Sequence, residues 1–505
     1  MWSEVLCDSG TMKHLRDHLI AADYRVDPVL DRITEAGQAG LGRNSTIPAA
    51  TALGDADDPQ ATLIKMFVLG REVPRRDAAR ALPLARLEGT GLVTVTGDSV
   101  RAEVDIRPYG FEIPDTEPVA GAPATFDGWV VSDPTPGLDN DRRPTRPDYV
   151  LGVSPASTTL AGMTIPGHVG AALDLGTGCG VQSLHLSTHA DRIVATDINP
   201  RCLHFARLTA ALNNIDVDLR DGSLYDPVPE SFDLIVTNPP YVMSPPRTDG
   251  CLVYREAGLQ SDDLVRQVVT GAPAHLNPGG VAQVLANWAI TDDQPWTERV
   301  AAWANGGADL WIIERERLDP FAYIEMWLTD AGLAGDATWE ARYREWLDYF
   351  DALHITGIGM GWITVVNSGR EIPDVHVESW PHEVVQPVGV ALGARCRQVS
   401  AASMDDGELL GARWRIAPGV VSETMGSLGA PDPQYLVMRQ GQGLKRATQL
   451  TTELTAVLGA CDGDLPLGVI IDAVAQLMEA DVASLRAQLL PGVRAAIVDD
   501  FLRLV

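Results

Sequence analysis

Two periodicities divide the chain. Near the start, apolar residues recur at helical spacing over Met12–Leu19 and Pro28–Ala36. The run Ala61–Gly70 is apolar enough for a buried helix closed by its terminal glycine. A further helix is expected around Arg75–Leu87. The period then drops to two over Leu92–Thr96 and Val100–Ile106, with Gly97-Asp98 between them as a hairpin turn. Helix, helix, hairpin predicts a winged-helix-like accessory domain over residues 1–110, although a small α+β packing domain would show the same order. Over 111–147, seven prolines (114, 118, 123, 134, 136, 144 and 147) and many aspartates predict a linker without regular structure.

From residue 148 to about 370, apolar runs alternate with helices, which predicts a parallel α/β sheet. The candidate strands are Ala171–Leu175, Arg192–Thr196, Asp216–Arg220, Phe232–Thr237 and Val281–Asn287, extended by Ala308–Glu314 and Ile358–Val366. Helices are expected over Phe321–Leu353. The remainder, 380–505, opens with a β-like run, Glu383–Ala391, and more β structure. Three amphipathic helices follow at Leu450–Leu458, Leu467–Met478 and Ala483–Leu490. The ending Val493–Val505 has the helix-then-strand cadence of a winged-helix terminus.

With 505 residues, the chain is long enough for about three domains. It contains no apolar run of about 18 residues, so no transmembrane helix and no membrane partner are expected. Met1-Trp2-Ser3-Glu4 does not lead from basic residues into an apolar stretch, so a secretory signal is not expected. Six cysteines lie far apart without a C-x-x-C pair. That argues against a disulfide framework or zinc ribbon and favours a cytoplasmic protein with reduced thiols. The 39 basic and 68 acidic residues leave a net charge of −29, which disfavours generic polyphosphate binding. Residues 60–107 are the one sizeable stretch that leans positive, with Arg71, Arg75, Arg76 and Arg80 close together.

Candidate chemistry begins at Leu173-Asp-Leu-Gly-Thr-Gly-Cys-Gly180, where a strand runs directly into Gly176, Gly178 and Gly180. Such glycines permit a tight turn and a close ligand approach. A dinucleotide fingerprint would need glycine where Val181 stands, and no P-loop Gly-Lys-Ser/Thr ending is present. Asp174 would repel a pyrophosphate and suit a cationic ligand. Asp197 ends the next strand, where a carboxylate can accept two ribose hydroxyls. Asp221 ends the third and could accept from an adenine amine. One such aspartate alone reads as a cap or turn residue. Three at successive strand ends describe a Rossmann-like pocket for a positively charged ribosyl-adenine.

The fourth strand supplies Phe232-Asp-Leu-Ile-Val-Thr-Asn-Pro-Pro-Tyr241. Together with the glycine turn, this segment resembles class I S-adenosylmethionine-dependent methyltransferases carrying an Asn-Pro-Pro-Tyr motif. Within that class it is most similar to the small-methyltransferase group, which contains release-factor glutamine methyltransferases and ribosomal-RNA guanine methyltransferases. The resemblance covers about residues 150–290. It implies a seven-stranded methyltransferase core, S-adenosylmethionine as cofactor, and transfer to a planar nitrogen whose lone pair is delocalised. Asn238 Oδ1 and the Pro239 carbonyl would accept that nitrogen's N–H bonds and stabilise its growing positive charge. Pro240 would help hold the carbonyl rigid, and Tyr241 would offer an aromatic face. Asn238 therefore joins both the catalytic set and the cofactor-binding set of Asp174, Gly176, Gly178, Gly180, Asp197 and Asp221, and no metal is required.

The chain departs from the release-factor pattern upstream of the glycine turn. There Ser154-Pro-Ala-Ser-Thr-Thr159 stands in place of Pro-Arg-x-Asp/Glu-Thr-Glu. The expected partner is a macromolecular acceptor: a protein glutamine or, alternatively, an exocyclic amine of an RNA or DNA base. A reading from another class is a non-catalytic adaptor that only binds cofactor. The loop at 243–256 is a candidate recognition element. The pairs His14/His18 and His185/His189 have helical spacing that metal ligands could use, although solvent-facing or packed histidines explain it as well. The aromatic run Trp339, Tyr343, Trp346, Tyr349 and Phe350 fits core packing better than base stacking.

Overall fold

The apolar runs of the middle third assemble into one twisted sheet of eight strands. We label them β1 (Val169–Leu175), β2 (Ala190–Asp197), β3 (Asp218–Asp221), β4 (Phe232–Thr237), β5 (Leu276–Thr291), β6 (Asp309–Leu318), β7 (Ile355–Val366) and β8 (Val375–Ser379). The computed structural model describes residues 9–114, 125–140, 145–246, 258–304, 307–428 and 435–505. Across the sheet the order is β3-β2-β1-β4-β5-β7-β6-β8. All seven expected strands are present, and β8 is an eighth, parallel to β6 and beyond the expected boundary at 370. Its five residues alternate Val, His, Val, Glu, Ser, too few apolar positions to stand out in the sequence.

The sheet is mixed rather than parallel, because β7 runs antiparallel to both β5 and β6. The β6–β7 connection contains two helices, an even number of passes that returns the chain to the end it left. A helix over Pro155–Met163 precedes β1, and the helices between the strands include α1 (Val181–Leu186), α2 (Pro200–Asn213), α3 (Asp263–Gly271) and α4 (Trp296–Ala301). The pair between β6 and β7 is α5 (Pro320–Asp330) and α6 (Trp339–Ala352). The order β1, β2, β3 grows to one side, whereas β4 and β5 grow to the other. A crevice therefore opens outside the carboxyl ends of β1 and β4, the usual ligand position in such sheets.

Contacts divide the chain into two compact units, Met1–Ala161 with Gly167–Trp380, and Gly162–Pro166 with Pro381–Val505. In the first unit, helices Ser9–Ala21, Val26–Leu41 and Ile47–Leu53 precede Pro59–Leu63, which continues as a π-helical turn over Ile64–Val68. Strand Val73–Pro74 pairs with Ser99–Ala102, which pairs in turn with Val93–Thr96. Helices Arg75–Ala81 and Leu84–Leu87 lie between them in sequence. The clustered arginines are occupied internally. Arg75 pairs with Glu88 (2.8 Å), Arg80 with Asp57 (3.0 Å) and Asp77 (2.8 Å), and Arg76 approaches Asp77 (3.4 Å). Arg71 donates to Thr46 Oγ1 at 3.2 Å.

The expected linker is not structureless. Thr125–Ser132 is a strand, paired antiparallel with Asp105–Glu112, so the boundary expected at 110 falls inside a strand. The prolines flank this run rather than interrupt it, and Trp129, Val130 and Val131 are buried. The hairpin packs along α2. Val131 N–H donates to Thr209 Oγ1 (3.0 Å), and Trp129 N–H donates to Asn213 Oδ1 (2.9 Å). Beyond the strand, Asp133 forms a buried, two-pronged ion pair with Arg201 of α2. The parts of the expected linker at 115–124 and 141–144 lie outside the described residues, as do Met1–Glu4, Cys7 and 247–257, which holds Cys251, Arg255 and most of the 243–256 loop.

The second unit contains helix Gly389–Ala402 where the β-like run Glu383–Ala391 was expected to continue. No strand occupies 383–388, and Pro387 interrupts that run. Arg413–Ile416 lies at the centre of a three-stranded sheet between Asp462–Pro466 and Leu502–Leu504. A second sheet joins Val420–Met425, Tyr435–Gln440 and Ala447–Leu450. The three expected helices are Thr452–Gly459, Leu467–Leu477 and Val482–Val498. Trp414, Leu467, Ile471 and Val493 are buried in one apolar cluster.

Asp133→Ala should strand the Arg201 guanidinium in a buried site. The expected loss is about 3–5 kcal/mol of unfolding free energy, measured by urea denaturation. A loss well below 1 kcal/mol would show that the pair does not hold the hairpin.

Candidate active site

β1 and β4 lie in register, with Leu175 opposite Thr237, and the Thr237 hydroxyl donates to the Leu175 carbonyl at 2.7 Å. The glycine turn and Asn238 therefore leave the sheet side by side. Gly176, Gly178 and Gly180 all have left-handed backbones, with φ of +77°, +57° and +84°. A Cβ on Gly176 or Gly178 would meet nothing within 4 Å, so the turn borders an open cradle that side chains would fill. At Gly180 the need is different, because a Cβ would sit 3.2 Å from the Ala206 Cα of α2. The Gly176 and Thr177 amides both donate to the Thr196 carbonyl of β2 at 2.9 Å, tying the turn to the next strand.

Asp174 was expected to face a cationic ligand. It is instead 1% exposed, and its Oδ2 accepts from the hydroxyls of Thr177 and Ser183, each at 2.7 Å. Burial pushes its pKa up to about 6, against the pull of those two bonds and with a further push from Asp197. Asp174 thus braces the turn from within. Thr177 and Ser183 were not singled out in the sequence, since nothing in their spacing marks a shared carboxylate.

Asp197 sits at the end of β2. Its Oδ2 accepts the Gly178 amide (3.0 Å), and its Oδ1 accepts the Asn199 amide (2.8 Å). Burial raises its pKa. The Ile198 amide and the Cys202 thiol also hydrogen-bond to this carboxylate, so the end of β2 is tied to the glycine turn and to α2. Asp221 is exposed and lies directly opposite Asp197 in the β2–β3 register. The structure therefore brings Asp197, Asp221 and the glycine cradle to one edge. The hydroxyl-rich segment joins them. Ser154 Oγ accepts the Ser157 amide (3.2 Å), and Gln182 of α1 donates to the Ser157 carbonyl (2.8 Å).

Asn238 follows β4 immediately, and its Oδ1 is buried without a hydrogen-bond partner. An unpaired buried acceptor costs about 1–3 kcal/mol, so it marks a place where a donor belongs. Pro239 is buried, and Pro240 and Tyr241 are partly exposed. Burial pushes the Tyr241 hydroxyl up to about 12, which keeps it neutral. The histidines serve packing. His185 Nε2 lies 2.8 Å from the Tyr109 hydroxyl, and its ring stacks on Phe111 at 3.7 Å. Burial pushes His185 down to about 3 and His189 to about 4. His14 and His18 are bonded to backbone carbonyls one turn upstream. Among the described residues, no group of three His, Cys, Asp or Glu side chains could hold a metal ion, and no helix is long and apolar enough to cross a membrane.

A mixed sheet whose parallel part carries a glycine cradle, two strand-end carboxylates and an unpaired asparagine oxygen at its switch point defines the class. Residues 153–295 match the methyltransferase small domain family. This part of the chain is a class I S-adenosylmethionine-dependent methyltransferase domain of the small group. Residues 21–103 match a second family, described as a domain of unknown function, DUF7059. The release factor glutamine methyltransferase of Deinococcus radiodurans is 38% identical over 117 residues, covering 21% of this chain and 42% of that protein. The ribosomal RNA small subunit methyltransferase C of Alcanivorax borkumensis is 29% identical over 121 residues, covering 24% of this chain and 33% of that protein. The matches thus span about a third to two fifths of those relatives' length. A solved T. thermophilus 16S rRNA methyltransferase in complex with AdoMet and guanosine is 17% identical, with a TM-score of 0.25, and covers 46% of this chain and 58% of its own.

The state of Asp174 sets a pH dependence. Its folded pKa of about 6 lies above the unfolded value of about 3.9. The stability this contributes is complete below about pH 4 and is lost as pH rises through about 6. Asp174→Asn cannot ionise, so its unfolding free energy should be flatter than that of the unaltered protein between those limits. Parallel slopes in urea titrations would contradict the assignment.

Proposed function

We propose that this protein transfers a methyl group from S-adenosylmethionine to a side-chain amide nitrogen of a protein glutamine. The carrying observation is the buried, unpaired Asn238 Oδ1 beside the glycine cradle. S-adenosylmethionine would supply an electrophilic methyl on a sulfonium: as the N–C bond forms the C–S bond breaks, S-adenosylhomocysteine leaves, and the methylated nitrogen gives up one N–H proton to solvent. Asp197 would face the ribose hydroxyls from the end of β2, and Asp221 would meet the adenine amine. Asn238 Oδ1 would accept one N–H of the acceptor amide and the Pro239 carbonyl the other. They would thereby turn the nitrogen lone pair toward the methyl and stabilise the positive charge that grows on it. Pro240 limits the backbone's freedom to retreat, and neutral Tyr241 offers a flat apolar face for the planar acceptor.

A protein acceptor is favoured because Arg75, Arg76 and Arg80 face carboxylates of the same chain and the total charge is −29. A second reading, transfer to an exocyclic amine of RNA, is favoured by one feature. Over 73–102, strand, two helices and a hairpin follow the order of a winged helix, a frequent nucleic-acid-binding module. We place the reaction in the cytoplasm, where the buried thiols of Cys179, Cys202 and Cys461 would stay reduced.

Asn238→Ala should keep its cofactor affinity while losing about 10²–10³ in turnover. Asp197→Ala should lose roughly tenfold to a hundredfold in cofactor affinity by calorimetry, through the ligand and through the released Gly178 amide. Radiolabelled S-adenosylmethionine incubated with cell extract, with protease and RNase arms, reads the acceptor. Label surviving RNase but not protease supports a protein acceptor, and the reverse pattern transfers the assignment to RNA. Wild-type turnover by Asn238→Ala would remove the catalytic role given to Asn238.

A further inference from the structure

The two helices inserted between β6 and β7 are not needed to close the sheet, yet both touch the chain around the Asn-Pro-Pro-Tyr motif. Tyr323 of α5 is fully buried. Its hydroxyl oxygen accepts the Met243 amide at 3.1 Å and the Asn287 side-chain amide of β5 at 2.8 Å. Asn287 is itself fully buried, and its Oδ1 has no partner. An amide kept in the core with its acceptor unpaired costs stability, which argues that its bond to Tyr323 is retained for another reason. On α6, the Tyr349 hydroxyl accepts the Ser261 amide at 2.8 Å, and Ser261 Oγ lies 3.7 Å from Met243 Sδ. The neighbouring Asp262 is buried, and it accepts the Ala289 amide (2.8 Å) and both guanidinium nitrogens of Arg299 (2.6 and 2.7 Å). Val242 and Met243 pack in one apolar cluster with Tyr323, Ile324, Trp346 and Phe350.

Resting on the methyl-transfer reading above, we propose that Tyr323 and Tyr349 are positioning residues that set the acceptor-side geometry of this site. Four residues separate Asn238 from Met243, and two of them are prolines with fixed φ. A restraint on the Met243 amide is therefore passed to the Pro239 carbonyl and Asn238 with only Tyr241 and Val242 free to absorb it. Tyr349 gives the chain a second fixed point at Ser261. The aromatic run of α6 thus serves as the packed base of a frame whose polar ends are two phenol oxygens. Small errors in the position of a reacting group are costly, because orientation contributes much of the rate in a transfer of this kind.

The test uses the full chain with Tyr323→Phe, Tyr349→Phe and Asn238→Ala. The probe is radiolabelled S-adenosylmethionine with extract from the source organism lacking this gene. Both phenylalanine variants should bind S-adenosylmethionine with unchanged affinity by calorimetry, and their turnover at saturating cofactor should fall about tenfold or more. Hydrogen exchange should accelerate at the Met243 amide in the first variant and at the Ser261 amide in the second. Turnover at the unaltered level in both variants, while Asn238→Ala abolishes it, overturns the tyrosine assignment alone. Turnover lost in proportion to cofactor affinity also overturns it, since the tyrosines would then only support the fold. No incorporation with the unaltered protein overturns the methyl-transfer reading itself. If Tyr323→Phe does not fold, Tyr349→Phe decides, because its ring is only partly buried.

Discussion

The pairing of Leu175 with Thr237 is the contact on which the rest of the site depends. Two neighbouring parallel strands end in the same layer, and a side-chain hydroxyl bonded to the facing carbonyl holds them level. From that shared end one strand enters a turn whose glycines expose backbone to open space. The other enters a rigid proline pair preceded by an unpaired amide oxygen. The glycine turn and the asparagine oxygen therefore border one edge of the sheet. The carboxylates complete the edge from the next two strands, each contributing its last residue.

Much of this edge was legible in the chain itself, because short apolar runs ending in Gly, Asp or Asn carry a local signal. Gly176, Asp197 and Asn238 occupy the positions that pattern implies. Asp174 was legible as present but not as to its direction. Its orientation depends on two hydroxyls, three and nine residues along, that only the folded turn brings to it. Strand Thr125–Ser132 was hidden by the prolines around it, and β8 by its polar alternate positions. Tyr323 and Tyr349 lie 80 and 88 residues from the amides they accept, a separation at which residue spacing says nothing.

The acidic character of the protein also looks different once its partners are known. Many of the arginines lie within one or two turns or strands of the carboxylates they pair with. These exposed pairs are individually weak. In the N-terminal part of the first unit Arg25, Arg32, Arg75, Arg80, Arg101 and Arg107 are paired in this way, so an anionic partner at those side chains would have to compete with the protein's own carboxylates. The buried Asp133–Arg201 and Asp262–Arg299 pairs are of another kind, each tying a loop to a helix of the core.

The hairpin of Asp105–Glu112 and Thr125–Ser132 lies along α2, the helix that follows β2. Gly128 is so close to that helix that a Cβ there would stand 2.1 Å from Asn213 Oδ1. A surface fitted that closely cannot be lent to another protein piece by piece. The stretch that matches one family ends at residue 103 and the stretch that matches the other begins at 153, and both strands of this hairpin lie between them. Any side chain at 128 would have to be answered by a shift of Asn213 on α2, which would give up its bond to the Trp129 amide.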